Sequence, residues 1–208
     1  MKDFQFEISP EQHEQMIRSS LFTELEFASA FIDQQNGQLI KFIGEFDCED
    51  EASKAHCFSY DSERDDLKVS GLSAYEYDLN VVFKEELPEY IKRSQLVILW
   101  AMLERSLGAI IKELYRLRDL PFPKKKKHDS CFIHLVKCLE AIDGENKSIK
   151  NVVSFLNENV RMVRNYIVHS GDLNVSHRWL DVENGALKIH GEYISEVRFS
   201  ISYLASNI

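Results

Sequence analysis

Two arginines, an asparagine and a histidine within residues 161–169 are the side chains best suited to chemistry. Arg161, Asn165 and His169 recur at four-residue steps, so a helix that turns by about 100° per residue would place them on one stripe. Arg164 lies about 140° around the axis from His169, but its long side chain can bring the guanidinium beside the imidazole. An arginine that neutralises phosphate and a histidine that transfers protons are the groups that a metal-free attack on a phosphodiester needs.

The residues around this stripe predict the helix that would hold it. Ser148 is a candidate N-cap, and Gly171 lies just beyond the predicted end. Apolar residues recur between these points at helical spacing and would face a core: Ile149, Val152, Val153, Leu156, Val160, Val163 and Ile167.

Three further helices are predicted to pack with this one. The most strongly amphipathic covers Pro88 to Arg118. The next begins at a cap formed by Asp129 or Ser130 and ends at Asp143-Gly144, and the last covers Tyr193 to Ile208. The apolar face of the first of these helices contains Ile91, Leu96, Leu99, Trp100, Leu103, Leu107, Ile110, Ile111, Leu114 and Leu117.

The segment Arg164-Asn165-x-x-x-His169 resembles the R-x(4–6)-H motif of the HEPN superfamily, including the polar residue that this family favours straight after the arginine. The predicted helix over Leu96–Leu117 resembles an early helix of the HEPN bundle, and the segment Tyr193–Leu204 resembles its last helix. The resemblance covers residues 86–208 and does not explain residues 1–85.

This resemblance implies a small α-helical bundle that dimerises so that two such motifs meet in one cleft. It implies a metal-independent endoribonuclease, acting as a toxin or in antiviral defence, in which Arg164 and His169 are catalytic and Asn165 supports them. One variant of the family has a tyrosine two residues after the histidine, which a partner nucleotidyltransferase modifies. Gly171 occupies that position here, so modification at that position is not expected.

Glu104 interrupts the apolar face of the central predicted helix, next to Arg105. In HEPN-like bundles an acidic residue on this helix can lie near the motif. Glu104 is therefore a supporting candidate for the site, where it would orient Arg164 or His169. The alternative is an intrahelical partner of Lys112 or Arg105, or a solvated carboxylate.

Four consecutive lysines follow the central helix: Lys124, Lys125, Lys126 and Lys127. Together with Arg161 they could hold an RNA backbone, since each lysine that pairs with a phosphate adds a salt-dependent increment of affinity. The alternative is a solvated loop. The formal net charge is −9, but residues 1–90 contain 7 Lys and Arg against 21 Asp and Glu, whereas residues 91–208 contain 18 against 13. A polyanion is therefore expected to meet the second half of the chain.

Cys131, His134 and Cys138 follow the spacing i, i+3, i+7, so they could share one helix face and bind zinc. A fourth ligand is not apparent and apolar residues share that side, so buried cysteines are the preferred interpretation. No metal and no cofactor is predicted, and no glycine-rich phosphate loop is present. Three other histidines have no patterned partners and are interpreted as surface residues: His128, His177 and His190.

Residues 1–85 are interpreted as an acidic extension that combines a helix with possible strands. Ser9-Pro10 is typical of a helix start, and apolar residues recur at helical spacing up to Asn36-Gly37. Gln38–Phe46 is interpreted as a strand. Asp47–Ser70 carries two charged clusters and is interpreted as solvated loops.

The expected compartment is the cytoplasm. Asp3, Gln5 and Glu7 interrupt the apolar residues of the first eight positions, so no signal peptide is expected. The longest apolar run, Leu96–Leu103, is much shorter than the roughly 20 residues of a membrane span. The four cysteines contain no C-x-x-C pair, which favours reduced thiols.

These patterns predict a mainly α-helical fold. Residues 86–208 would form a HEPN-like helical bundle with a small β-hairpin at Asn184-Gly185, and residues 1–85 an N-terminal α/β extension. The predicted function is RNA cleavage by 2′-OH attack in a homodimer, with an antitoxin or regulatory protein as a further partner and without a membrane. The alternative is a HEPN-like module that binds a partner protein or a nucleotide without cleavage and uses residues 1–85 as its interaction surface.

Overall fold

The computed structural model describes residues 9–47, 58–61, 66–169, 176–183 and 186–208. The helices are α1 (Pro10–Asp47), α2 (Leu79–Val81), α3 (Leu87–Leu117), α4 (Cys131–Asp143), α5 (Lys150–Phe155), α6 (Arg161–His169) and α7 (Gly191–Ser206). The strands are β1 (Phe58–Asp61), β2 (Asp66–Val69), β3 (Leu72–Ser73), β4 (Leu180–Glu183) and β5 (Ala186–Ile189). π-helical turns over Val82–Glu86 and Leu156–Val160 precede α3 and α6, and a 3₁₀ turn over Lys147–Ile149 precedes α5. The predicted mainly helical class is confirmed.

The chain forms two compact units. The first holds the described parts of Met1–Ser29 and Leu96–Ile208, and the second those of Ala30–Gln95. This division differs from the predicted segments 1–85 and 86–208, because the start of α1 belongs with the helices of the second half of the chain.

The core of the first unit is built mainly from α3, α4 and α7. Trp100 on α3 lies against Phe132 on α4, with their ring centroids 5.4 Å apart. The Tyr115 hydroxyl donates a hydrogen bond to the carbonyl oxygen of Cys138 at 3.1 Å. The buried residues of α3 match the predicted apolar face and include Leu96, Leu99, Trp100, Leu103, Leu107, Ile110, Ile111 and Leu114.

Helix α4 has the boundaries that its sequence predicts. The Ser130 hydroxyl oxygen accepts a hydrogen bond from the backbone N–H of Ile133 at 3.1 Å, which caps the amino end. Gly144 follows the last residue with a φ of 86°, a conformation that glycine adopts without steric cost.

The predicted small hairpin is confirmed by strands β4 and β5, which pair antiparallel with Val182 opposite Leu187. Its turn, Asn184-Gly185, lies outside the described residues. His190 follows β5, and its Nε2 lies 2.7 Å from Asp181 Oδ2 on β4, so this histidine has a partner that the sequence pattern did not reveal.

Helix α1 begins as predicted and ends later than predicted. Ser9 and Gln12 form a reciprocal capping box: the Ser9 N–H donates to Gln12 Oε1 at 3.0 Å, and the Gln12 N–H donates to Ser9 Oγ at 3.2 Å. The helix continues through Gly37, so the predicted strand over Gln38–Phe46 is wrong.

Aromatic packing explains this continuation. Phe42 and Phe46 are one helical turn apart, and both contact Phe83, with ring centroids at 5.0 and 5.5 Å respectively. A strand would put residues four apart about 13 Å from each other along its axis, whereas a helix brings them within about 6 Å. The contact with one ring therefore favours the helix.

A three-stranded antiparallel sheet in the order β1-β2-β3 lies in the second unit. The prediction of solvated loops for Asp47–Ser70 is therefore wrong over Phe58–Asp61 and Asp66–Val69. Residues 48–57 and 62–65 lie outside the described part of the chain. Val69 is fully buried and packs with Leu79 and Phe83. The charged residues that surround Val69 in the sequence do not indicate this apolar contact.

A tight turn joins β2 to β3. Ser70 and Gly71 have φ angles of 51° and 85°, and they lie between the paired residues Val69 and Leu72. Two central residues with positive φ are characteristic of the type I′ hairpin turn.

Four charged side chains of the first unit form one ion network. Arg18 on α1 contacts Asp143 at 2.8 Å and Glu14 at 2.6 Å. Arg118, just after α3, contacts Glu14 at 2.9 Å and donates to the Ile142 carbonyl at 3.0 Å. The hydrogen bonds from Arg18 hold the pKa of the Glu14 carboxyl below its usual range. The network ties α1, α3 and α4 together.

We expect Glu14→Gln to lower the free energy of unfolding by roughly 1–2 kcal/mol near pH 7. Because the folded pKa of Glu14 is depressed, its contribution is fully present above the unfolded pKa of about 4.5 and is lost as the pH falls through the folded value. The difference between wild type and variant in urea unfolding should therefore shrink below about pH 4. Glu26→Gln, an exposed position on the same helix, serves as the control. A difference that stayed constant down to the lowest pH would contradict this account.

One helical stretch in the described part of the chain, Leu79–Leu117, is long and apolar enough to cross a membrane. Its most apolar window is 56% buried inside the protein. Core helices of water-soluble proteins share this composition, so the stretch is weak support for a membrane span. The expected lack of membrane association stays a prediction.

Candidate functional site

The arginine and histidine of interest lie in a helical stretch that starts with the 3₁₀ turn at Lys147. Asn146, rather than the predicted Ser148, caps it: Asn146 Oδ1 accepts hydrogen bonds from the Ser148 N–H at 3.0 Å and from the Ser148 hydroxyl at 2.7 Å. The predicted apolar face is confirmed at four buried positions, Ile149, Leu156, Val160 and Val163. The other three predicted residues are only partly buried: Val152, Val153 and Ile167.

The π-helical turn over Leu156–Val160 lies directly before this arginine-containing helix. Asn159 in the turn accepts a hydrogen bond from the Tyr193 hydroxyl on α7 at 2.5 Å. Burial raises the pKa of Tyr193 well above its usual range, so the hydroxyl keeps the proton that it donates. This bond fixes the rotation of the helical stretch against α7.

Arg164 is held in place by its neighbour in the sequence. Its Nη1 donates a hydrogen bond to Asn165 Oδ1 at 2.9 Å. Its Nε is buried and has no hydrogen-bond partner in the described ranges. A buried donor without a partner costs about 1–3 kcal/mol, so this atom calls for an explanation such as a bound water, an ion or a catalytic role.

His169 is the last residue of α6, and its side chain is exposed. It has no hydrogen-bond partner among the residues that the structure describes, and residues 170–175 directly after it are not among them. Within one chain, the structure therefore brings Arg164 together with Asn165, and no hydrogen bond joins Arg164 to His169 in the described ranges.

Arg161 has a role that the sequence did not suggest. Its Nε donates to both the backbone carbonyl oxygen and the Oδ1 atom of Asn157, each at 3.1 Å. The Ser130 hydroxyl, which caps α4, donates to the same Asn157 Oδ1 at 3.1 Å. Arg161 thus braces the π-helical turn against the start of α4. Its Nε is used in this way, so the predicted contact with RNA would have to be made by its Nη atoms.

Glu104 is partly exposed on α3. It makes no hydrogen bond or ion pair with another described residue. Arg105 pairs instead with Glu24 on α1 at 2.8 Å, so the predicted alternative of a Glu104–Arg105 pair is not observed. The orienting role of Glu104 beside Arg164 stays a prediction.

Lys124–Lys127 lie in an exposed, irregular segment between α3 and α4. Lys125 Nζ donates to the Asp129 carbonyl oxygen at 3.0 Å. The Asp129 carboxylate is paired with Lys137 at 2.7 Å, which holds the pKa of that carboxyl below its usual range. The carboxylate next to the lysine run is therefore already neutralised, and the run presents its positive charge to solvent.

The three residues with zinc-ligand spacing do not form a metal site. Cys131 is exposed and Cys138 is buried, with Cys138 Sγ 3.7 Å from His134 Nε2. The His134 ring packs edge-on against Phe122 with centroids 5.8 Å apart. Nowhere in the described ranges do three or more His, Cys, Asp or Glu side chains lie together so that they could hold a metal ion. The preferred interpretation of buried cysteines is confirmed for Cys138, whose thiol pKa is raised by burial, and is wrong for Cys131, which is exposed.

His177 lies in a packed cluster, so its interpretation as a surface residue is wrong. Its side chain is only 15% exposed, and its ring centroid lies 5.2 Å from that of Tyr193 and 5.7 Å from that of Phe155. Its Nε2 lies 3.4 Å from Glu196, and its Nδ1 accepts the Trp179 N–H at 3.4 Å. A single histidine in a loop has no periodic pattern, so no sequence signal could have found this cluster.

Among the residues that the structure describes, the side chains best suited to act on a substrate are an oriented arginine, an exposed histidine on the same helix and an exposed lysine run. Comparison with protein-family models, with curated proteins and with solved structures finds no significant match for this chain. The chemistry of these side chains is therefore the basis on which a function is proposed.

Proposed function

We propose that this protein is a metal-independent endoribonuclease of the HEPN type, with Arg164 and His169 as its catalytic residues. The observation that carries the proposal is the state of Arg164, whose guanidinium is oriented by Asn165 while its buried Nε has no partner in the described ranges. The exposed His169 ends the same helix. A guanidinium held in one orientation suits a phosphate, which can accept two parallel hydrogen bonds from it.

The reaction needs no group beyond these side chains and the RNA itself. The 2′-OH next to the scissile phosphate is the nucleophile: it loses its proton, its oxygen bonds to phosphorus, and the bond from phosphorus to the 5′ oxygen breaks. His169 would transfer protons, because a histidine can gain and lose a proton near neutral pH. Arg164 would stabilise the negative charge that grows on the phosphate oxygens.

The proposed active unit is a homodimer. One base and one acid are needed, for the 2′-OH and the leaving 5′ oxygen, and each chain supplies one His169. A two-fold axis that brings the two exposed helix ends together would provide both. The proposed setting is a toxin–antitoxin or antiviral system.

The experiment that tests this function is cleavage of an end-labelled RNA by purified protein in excess EDTA, with the mass in solution measured by light scattering on the same sample. We expect cleavage to persist, to fail on an RNA with one 2′-deoxy group at the cut site, and to leave 2′,3′-cyclic phosphate and 5′-hydroxyl ends. A requirement for Mg²⁺, 5′-phosphate ends, or cleavage by a stable monomer would contradict the proposal.

Lys124–Lys127 are proposed to hold the RNA backbone. Replacing all four with Ala should weaken RNA binding and reduce the slope of log affinity against log salt by about 0.7 for each lost phosphate contact. Binding would be measured by fluorescence anisotropy of a labelled single-stranded RNA over a range of NaCl concentrations. The double variant Lys147→Ala/Lys150→Ala removes exposed lysines elsewhere in the same unit and should leave the slope unchanged. An unchanged slope in the fourfold variant would identify the run as a solvated loop.

A further inference from the structure

A groove in the second unit has a chemistry that the proposed nuclease does not use. It lies between the end of β3 and the start of α2, with a volume of about 590 Å³. The lining residues that carry its chemistry are Phe46, Leu67, Tyr75, Glu76, Tyr77 and Asp78. We call it the Tyr75 groove.

The Tyr75 groove exposes an unusual amount of aromatic surface. Tyr75 is 93% exposed and Tyr77 is 48% exposed, and Leu67 beside them is 40% exposed. Tyrosine buries a large apolar area on binding at a small cost in side-chain entropy, and it is among the residues that dominate binding energy at protein interfaces. Two exposed tyrosines on one short segment therefore indicate a contact surface.

The segment that carries these tyrosines is held rigidly. The Ala74 N–H donates to the Leu67 carbonyl at 2.8 Å, and the Tyr77 N–H donates to the Ser73 carbonyl at 3.1 Å. The Asp78 carboxylate accepts the Asn80 N–H at 3.0 Å and so caps α2. A preformed surface loses little conformational freedom when a ligand binds, so its contacts translate into affinity.

The negative charge of the groove favours a positively charged ligand. Glu76 and Asp78 flank the tyrosines, and residues 30–95 contain 15 Asp and Glu against 7 Lys and Arg. Carboxylates repel nucleic acid and attract cationic side chains. The faces of the tyrosine rings also attract ammonium and guanidinium groups. Aromatic rings beside carboxylates thus complement lysine and arginine.

We propose that the Tyr75 groove binds a lysine- and arginine-rich segment of a partner protein. The basic side chains would lie over the rings of Tyr75 and Tyr77, with their charges facing Glu76 and Asp78. This interaction is independent of the RNA-cleavage proposal, since the groove belongs to the second unit and the arginine and histidine of the candidate site belong to the first.

The test is fluorescence anisotropy of the full chain with a short fluorescein-labelled peptide of repeating Gly-Arg-Lys units. Wild type should bind, and added NaCl should weaken binding. Tyr75→Ser/Tyr77→Ser, which leaves every charge in place, should weaken binding at least about tenfold. Tyr90→Ser, an exposed tyrosine of the same unit outside the groove, should bind as wild type does. Tyr75→Ser alone removes a ring that is 93% exposed, so it is the milder variant, and it should also weaken binding.

Several results would overturn the proposal. Equal binding by wild type and the double tyrosine variant would mean that the peptide responds only to the net negative charge. Binding of a matched Gly-Glu peptide would contradict the charge argument. Self-association in light scattering that the double variant abolishes would assign the groove to a second copy of the chain. If the anisotropy of a labelled RNA showed that Tyr75→Ser weakens RNA binding, the groove would be assigned to nucleic acid.

Discussion

His169→Ala is expected to reduce RNA cleavage by at least about 100-fold, since a positioned acid or base contributes roughly 10²–10⁴-fold to a rate. The side chain is exposed and has no hydrogen-bond partner in the described ranges, so its removal deletes no hydrogen bond to a described residue. The unfolding temperature of the variant should therefore match that of wild type. The measurement is the single-turnover cleavage rate of an end-labelled RNA, with thermal unfolding followed by circular dichroism on the same protein.

His128→Ala is the matched control for this variant. His128 is an exposed histidine of the same unit, next to the lysine run, and it plays no part in the proposed reaction. Its loss should change the cleavage rate only slightly. If His169→Ala cleaved RNA as fast as wild type, the proton transfers would have to be assigned to other side chains, and the resemblance in the motif would carry no function.

Trp100→Ala is expected to lower the free energy of unfolding by about 3–5 kcal/mol. Trp100 is 1% exposed and its ring contacts Phe132, so truncation would leave a cavity where α3 meets α4. Domain stabilities are about 5–15 kcal/mol, so this one change would remove a large share. Urea unfolding monitored by circular dichroism at the helical wavelengths measures the loss.

Phe199→Ala is the control for the tryptophan variant. Phe199 is a large apolar residue of the same unit, but it is 70% exposed, so its truncation should change the unfolding free energy by no more than about 0.5 kcal/mol. Similar losses in the two variants would show that Trp100 is not at the centre of the core.

Helices with a continuous apolar face were predictable from the sequence. The face of α3 and the Ser130 cap of α4 follow from local patterns, because amphipathic spacing and caps depend on residues close together in the chain. The end of α1 was not predictable. Gly37 is a common helix stop, and only the distant Phe83, which contacts Phe42, makes the longer helix favourable.

The candidate site was likewise predictable only in part. The spacing from Arg164 to His169 predicts that both lie on one helix, which the structure bears out. The partner of each side chain depends on rotamers and on tertiary packing, which spacing does not specify. The brace between Arg161 and Asn157 and the cluster around His177 are such contacts. These contacts join residues that come together only after the helices have packed.

The π-helical turn over Leu156–Val160 changes the rotation, about the helix axis, of the segment that carries the catalytic candidates. Each residue of a regular helix turns the chain by about 100°, so deleting one residue of the turn would rotate Arg161–His169 by about that angle relative to α5. Val163 would then leave the core. A designer who transplants Arg161–His169 onto a regular helical scaffold must accordingly move the fusion point by one residue for the imidazole to remain at the surface.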